Sequence, residues 1–347
     1  MKVLFLQRSV VHYRVPFFNA MARLPGREVT VAHSGRRVGA AAEFHEHALR
    51  EFRFASLHWQ RELLPLCRRH DVVIAPFDVH FVSSVRMALA RNRPPLIWWG
   101  IGLGRSQRAN RLRVWLTRRA RAVVAYTPGN ANRLAEAGVD RSKLFCAPNT
   151  VHVPNAAPKP EGGAMDSFLF VGSINARKRV DELLEAFARA RESLPAGTTL
   201  NVVGAGPCEP ELRELTARLG LAGAVVFHGR IEDDARLQPL FHRAYALVSP
   251  GQVGLTLLQS FGHGTAVITR QDAISGGELE NLKSGENGLF YSGGAAELAA
   301  VMTRVATTPG LAAELGRRAY EHYSGSTTIA HMARGFDQAI AHVLRST

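Results

Sequence analysis

Three short segments of this chain carry residues that could do chemistry. The first is Ser249–Gly264, SPGQVGLTLLQSFGHG, which reads as a phosphate-binding turn entering a buried helix. Its first eleven residues contain no acid and no base, so the binding atoms would be main-chain donors. The first turn of a helix leaves N–H groups unpaired and its dipole favours negative charge. Gly251, Gly254, Leu255 and Thr256 are therefore the candidates, and acidic side chains there would only repel an anion. The second segment, GSINARKR, runs from Gly172 through Ser173 to the basic triplet Arg177-Lys178-Arg179. Neighbouring side chains point apart, so at most two of the three cations can face one ligand. Lys178 is read as a phosphate contact, with a solvated basic loop as the bland alternative. The third, QRSVVHYR, puts His12, Tyr13 and Arg14 after an apolar run. His12 either orients a hydroxyl or phosphate or merely packs. Asp78 and His80 in PFDVHF are similar candidates. Gly204 and Gly206 mark a tight turn with close backbone approach, itself a weak signal. No His, Cys, Asp or Glu has partners at metal-ligand spacing, so no protein metal site is expected.

The elements that must position these residues follow from periodicity. Short β-branched runs alternate with helical patterns almost throughout. In the first half strands are expected at Val3–Gln7, Val29–His33, Asp71–Ala75, Leu96–Trp99, Ala122–Tyr126 and Leu144–Ala147. Helices are expected around 15–23, 58–69, 81–91, 106–120 and 128–137. A Pro/Gly/Ala-rich linker, NTVHVPNAAPKPEGGAMD, then precedes a second series. Its strands are FLFVGS, LNVVGAG, AVVFHGR, YALVSP, TAVITR and NGLFY. A stripe of Val180, Leu183, Leu184, Phe187 and Ala188 marks a helix after the first of them. Such alternation predicts an α/β chain with two Rossmann-like domains facing across a cleft. The boundaries are 1–152 and 153–347, with the last helix (Ile329, Met332, Phe336, Ile340, Val343) able to pack back on the first domain. In these sheets ligands lie beyond the carboxyl ends of the strands, so the loops after 170, 204, 229 and 250 should crowd together.

Charge separates the halves. Residues 1–150 hold 25 basic and 9 acidic side chains, whereas the remainder holds 18 and 20. An anion-seeking surface therefore belongs to the first half alone. The segment 105–121 concentrates seven arginines with Leu112, Trp115 and Leu116 on one helical face. Two readings stay open: peripheral contact with an anionic membrane, or an inward-packed stripe with solvated arginines. No uninterrupted apolar run reaches the length of a membrane span. The start reads as a first strand rather than a signal peptide, and three scattered cysteines imply no disulfide framework. A cytoplasmic protein, peripheral on the inner membrane face if 105–121 docks there, is expected.

In order and spacing, the series FLFVGSINARKRVDELLEAFARA, VVGAGPCEPELREL, VVFHGRI, YALVSPG, GLTLLQSFGHGTAVIT and SGGELENLKSGENGLFY resembles the retaining glycosyltransferases of family 4, which have the GT-B fold. The resemblance covers nearly the whole chain. It implies a nucleotide-diphosphate sugar of UDP or GDP type held mainly by the second domain, and a glycan or lipid-linked acceptor on the first. The family's phosphate-binding Lys falls on Lys178. Its Arg falls on Ser173, leaving Arg177 to supply the second cation. Base and ribose are implied near Gly204, Arg230 and Ile231, and the diphosphate at Gly254, Leu255 and Thr256. The family's paired glutamates fall on Gly251 and Gln259. Gln259 keeps a carbonyl for a ribose hydroxyl, or else is a satisfied interior amide. Glu278 and Glu280 in GGELE are the substitutes for the lost carboxylates. No tightly bound cofactor is implied, and without the acidic pair nothing requires magnesium. The function implied is sugar transfer to a glycolipid, lipopolysaccharide or polysaccharide. The alternatives are a nucleotide-sugar epimerase of the same architecture or a non-catalytic nucleotide- or nucleic-acid-binding protein. No nucleic-acid recognition motif is visible.

Overall fold

Uninterrupted apolar runs such as VLFL, VVIA and LIWW cannot lie on a half-solvated sheet; they belong in parallel strands covered on both faces. The computed structural model, which describes residues 1–104 and 106–345, builds two such sheets in two units. One unit is Met1–His152 together with the chain from Thr327 onward; the other is Val153–Ser326.

The first unit contains strands β1 (Lys2–Leu6), β2 (Glu28–His33), β3 (His45–Ala48), β4 (Glu51–Phe54), β5 (Leu57–Gln60), β6 (Val72–Pro76), β7 (Leu96–Gly100), β8 (Ala122–Ala125) and β9 (Leu144–Cys146). Between them run α1 (Val15–Ala22), α2 (Leu63–Cys67), α3 (Val82–Leu89), α4 (Gln107–Thr117) and α5 (Pro128–Glu136). Seven strands form a parallel sheet in the order β3-β2-β1-β6-β7-β8-β9. One face buries Phe17, Phe18 and Met21 of α1. The opposite face buries Leu63 and Leu66 of α2, Met87 of α3, Leu116 of α4 and Leu134 of α5.

The expected helix over 58–69 is corrected. Residues 57–60 are β5, paired antiparallel with β4, and the helix shrinks to α2. Alternation in EFRF and LHWQ has the period of a strand, and Glu62, with left-handed backbone (φ 64°), breaks the chain before α2. Sequence reading also missed β3. Of the basic segment 105–121, Arg105 lies outside the described residues.

The second unit contains β10 (Ser167–Val171), α6 (Val180–Ala190), β11 (Thr199–Val203), α7 (Glu209–Arg218), β12 (Val225–Gly229), α8 (Asp234–Arg243), β13 (Ala244–Ser249), α9 (Thr256–Gly262), β14 (Val267–Arg270), β15 (Gly288–Tyr291), α10 (Ala295–Thr307) and α11 (Leu311–Ser326). Its parallel sheet runs β12-β11-β10-β13-β14-β15. The chain order reverses between β10 and β13, which makes the loops leaving those strands a switch point. The apolar stripe of α6 closes the core, with Val180, Leu183, Leu184 and Phe187 buried.

The final helix, α12 (Ile329–Arg345), belongs to the first unit. Phe336 stands 4.9 Å from Phe17, 5.0 Å from Trp99 and 5.7 Å from Phe5, ring centre to ring centre. Met332, Ile340 and Val343 are equally buried in that cluster. No helix among the described residues is long and apolar enough to cross a membrane.

Candidate functional site

The second unit's site is built at the switch point from main-chain contacts between loops. The β10–α6 loop hydrogen-bonds the β11 exit through Gly172 N to Val203 O (3.0 Å) and Ile174 N to Ala205 O (3.0 Å). It bonds the β13 exit through Gly251 N to Lys178 O (3.2 Å) and Gln252 N to Arg177 O (2.7 Å). Backbones this close leave no room for side chains. A Cβ on Gly204 would lie 1.8 Å from the Gly172 carbonyl oxygen, and one on Gly251 would lie 2.1 Å from that of Arg177. The glycines of these turns are thus demanded by loop crossing.

Gly254 is different, because a Cβ there would meet nothing within 4 Å. The N–H groups of Gly254, Leu255 and Thr256, at the start of α9, find no acceptor among the described residues. These are the N–H groups that the sequence put forward as donors to an anion, and they come from backbone alone.

Asn175 shapes the cation-bearing turn. Its side-chain oxygen accepts from Arg177 N (3.1 Å) while its amide donates to Ser173 Oγ (2.9 Å). The sequence signal was present, an Asn two residues before the turn's centre, but it was not read. The three cations then part ways. Lys178 is half-buried and donates from Nζ to the Gln252 carbonyl (2.7 Å), so the two loops are clamped by side chain as well as backbone. Burial pushes its pKa below the usual lysine value, with the Glu278 charge opposing and the Arg177 charge adding to the fall. Arg177 is exposed and its side chain has no partner among the described residues. Arg179 turns away, its Nε 2.8 Å from Glu182 Oε2, where Arg270 and Tyr291 also converge.

Glu278 is buried, accepting at Oε2 from Gly276 N (2.7 Å) and Ser275 Oγ (2.9 Å). Its charge acts on Lys178, so the carboxylate belongs to the same cluster. Gln259 is half-buried and hydrogen-bonds Asp234, which in turn holds His263 Nε2 (2.9 Å) and the Asn155 N–H (3.2 Å). A glutamine amide bonding a carboxylate uses its N–H, leaving Oε1 for a hydroxyl. This Gln259–Asp234–His263 chain was not visible in the sequence, since Asp234 lies 25 positions before Gln259 and 29 before His263.

Not every candidate joins the cluster. Gly229 O accepts from Gly204 N (2.8 Å), which brings the end of β12 alongside, but Arg230 is exposed and ion-paired with Glu232 at 2.5 Å. Ile231 beside it is half-exposed. His12 is in the other unit, exposed and edge-on to the Tyr13 ring at 5.5 Å. There Arg14 is the buried cation, between the rings of Tyr13 (5.4 Å) and Trp99 (5.3 Å) and bonded to Asn149. Asp78 and His80 pair with each other at 2.7 Å. Among the described residues no three His, Cys, Asp or Glu side chains form a group that could hold a metal ion.

The sequence model for "Glycosyl transferases group 1" matches residues 166–308, which span the whole loop cluster. The chain is 32% identical over 166 residues to the D-inositol 3-phosphate glycosyltransferase of Streptomyces griseus. That match covers 44% of this chain and only about a third (34%) of the length of that enzyme. It is 27% identical to the lipopolysaccharide core biosynthesis glycosyltransferase LpsE of Rhizobium meliloti, over 92% of this chain and 90% of that one. Anabaena HepE, solved in complex with UDP, superposes over 100% of both chains with a TM-score of 0.74 at 18% identity. Likeness of that kind shows the fold: two Rossmann-like domains of GT-B architecture.

Proposed function

We propose that the protein is a retaining glycosyltransferase of family 4. In this reading it moves a hexose from a UDP- or GDP-sugar to a glycolipid, lipopolysaccharide or polysaccharide acceptor. One observation carries the reading: three unpaired N–H groups start α9 in a loop cluster that also holds a half-buried lysine and a buried glutamate. Those donors and Lys178 suit a diphosphate, and the match at 166–308 supports that ligand's being part of a sugar nucleotide.

The chemistry such a site can do is charge stabilisation. The bond from the anomeric carbon to the diphosphate oxygen breaks, and its electron pair stays on that oxygen. The same oxygen takes the acceptor's proton as the new glycosidic bond forms on the same face. Lys178, the exposed Arg177 and the α9 donors then bind the growing negative charge more strongly than the ground state. Glu278 balances the charge of Lys178 and faces the sugar, and Oε1 of Gln259 accepts from the ribose. Gly204, Arg230 and Ile231 border the base. His12 and the basic first unit serve the acceptor. The exposed Leu112 and Trp115 of α4, among arginines, support peripheral contact with the inner face of an anionic membrane.

The test is a thermal-shift panel of UDP-, GDP-, ADP- and dTDP-sugars. A UDP- or GDP-sugar should raise the melting temperature, and Lys178→Ala should abolish the rise and lower turnover about 100-fold. An unchanged response in that variant refutes the diphosphate placement. Conversion of the sugar nucleotide without any acceptor would instead identify an epimerase.

A further inference from the structure

The β4–β5 hairpin of the first unit is inside out. Its register pairs Phe52 with Trp59 and Phe54 with Leu57, so these four side chains share one face. The other face carries Glu51, Arg53, His58 and Gln60. It is the polar face that packs inward. His58 is buried, 2.6 Å from Glu51 Oε1 and stacked on Phe81 (5.1 Å). Gln60 is buried too, donating to Gln7 O (3.1 Å) and Ser34 Oγ (2.9 Å). A one-residue slip would break all of these bonds, so the apolar face is locked towards solvent. Phe54 at the tip is 81% exposed and Phe52 55%.

Such a face needs an occupant, and its rim identifies one. Arg61 lies over the Phe52 ring (5.4 Å) and Arg86 over the Trp59 ring (5.3 Å). Aromatic bodies carrying guanidinium groups match the boundary between acyl chains and acidic headgroups. The unit as a whole is strongly basic, with 25 basic against 9 acidic residues over 1–150. Arg86 belongs to α3, which shares a face of the sheet with α4, the helix that exposes Leu112 and Trp115. We propose that the β4–β5 hairpin is a membrane wedge. Phe52, Phe54, Leu57 and Trp59 enter the headgroup region of an anionic bilayer, and Arg61 and Arg86 bind its phosphates. The wedge belongs to the first unit and the proposed sugar-nucleotide site to the second.

Flotation of the full chain with phosphatidylcholine vesicles, with and without phosphatidylglycerol, tests this. Binding is expected only with phosphatidylglycerol and should weaken as salt rises. Phe54→Ser/Leu57→Ser should lose about 10-fold or more of it, because two side chains no longer leave water. Arg61→Glu/Arg86→Glu should lose the phosphatidylglycerol preference. All four side chains are exposed, so melting temperature and the response to sugar nucleotides should stay as in wild type. That second response separates failure of the wedge from failure of the transferase reading. The proposal is overturned if wild type binds neither vesicle, or if the Phe54/Leu57 variant binds them equally well. It is also overturned if light scattering shows a wild-type dimer that this variant dissolves while vesicle binding is unchanged.

Discussion

Gly251 and Gly254, three positions apart, lack side chains for opposite reasons. At Gly251 the protein itself occupies the space, since a Cβ would sit 2.1 Å from a backbone oxygen. At Gly254 the space is empty and borders unpaired N–H groups. Gly251→Ala should therefore destabilise the fold by about 2 kcal/mol or more, read in denaturant melts. Gly254→Ala should change stability by less than about 0.5 kcal/mol yet weaken the thermal response to sugar nucleotides, because its methyl projects where the ligand would lie. Equal effects of the two substitutions in both assays would contradict this division. At this scale the chain was legible for glycines and cations, whose types carry their own physics. It was not legible for Asp234 and His263, which act on Gln259 only because the fold brings them together.

At the scale of elements, the turn from β10 into α6 works as one part. Asn175 bonds its backbone, Lys178 ties it to the β13 exit, and Arg179 leads into α6 through Glu182. A second feature of the unit concerns the segment entering β10. Lys159 is half-buried, its ammonium donating to the Ala244 carbonyl at the start of β13. Burial pushes its pKa down to about 7 from 10.5. A lysine depressed on folding leaves the native state with fewer protons than the unfolded chain between these values. Stability should then rise with pH from about 7 to about 10, by up to about 1.4 kcal/mol per unit from this group. Lys159→Met should flatten that slope and stabilise the protein at pH 7; chemical melts at pH 7 and 9.5 check it. A slope unchanged in the variant would assign the effect elsewhere. Element prediction succeeded where one period persisted, as in α6, and failed at β4 and β5, where each strand is four residues long.

At the scale of the molecule, the chain leaves the second unit at Thr327 and ends in the first. Helix α12 is thereby part of the first unit's core, with Phe336 fully buried among Phe5, Phe17 and Trp99. Phe336→Ala should cost about 3–5 kcal/mol, felt by the first unit, although the residue is distant from it in sequence. In limited proteolysis of this variant, fragments of the first unit should appear before those of 153–326. Simultaneous loss of both units would mean that they unfold as one.

Taken alone, the sequence determined the alternation of strands and helices, the parallel sheets it requires, and the charge contrast between the halves. These are local properties: periodicity, glycine and charge act within a few residues. Tertiary structure decided which loops touch, that Gly204 and Gly251 are loop crossings while Gly254 is open, that Gln259 is bound to Asp234, and that the β4–β5 hairpin shows its apolar face to water. Each of those depends on contacts between segments tens of residues apart, and no local pattern encodes the distance between two backbones.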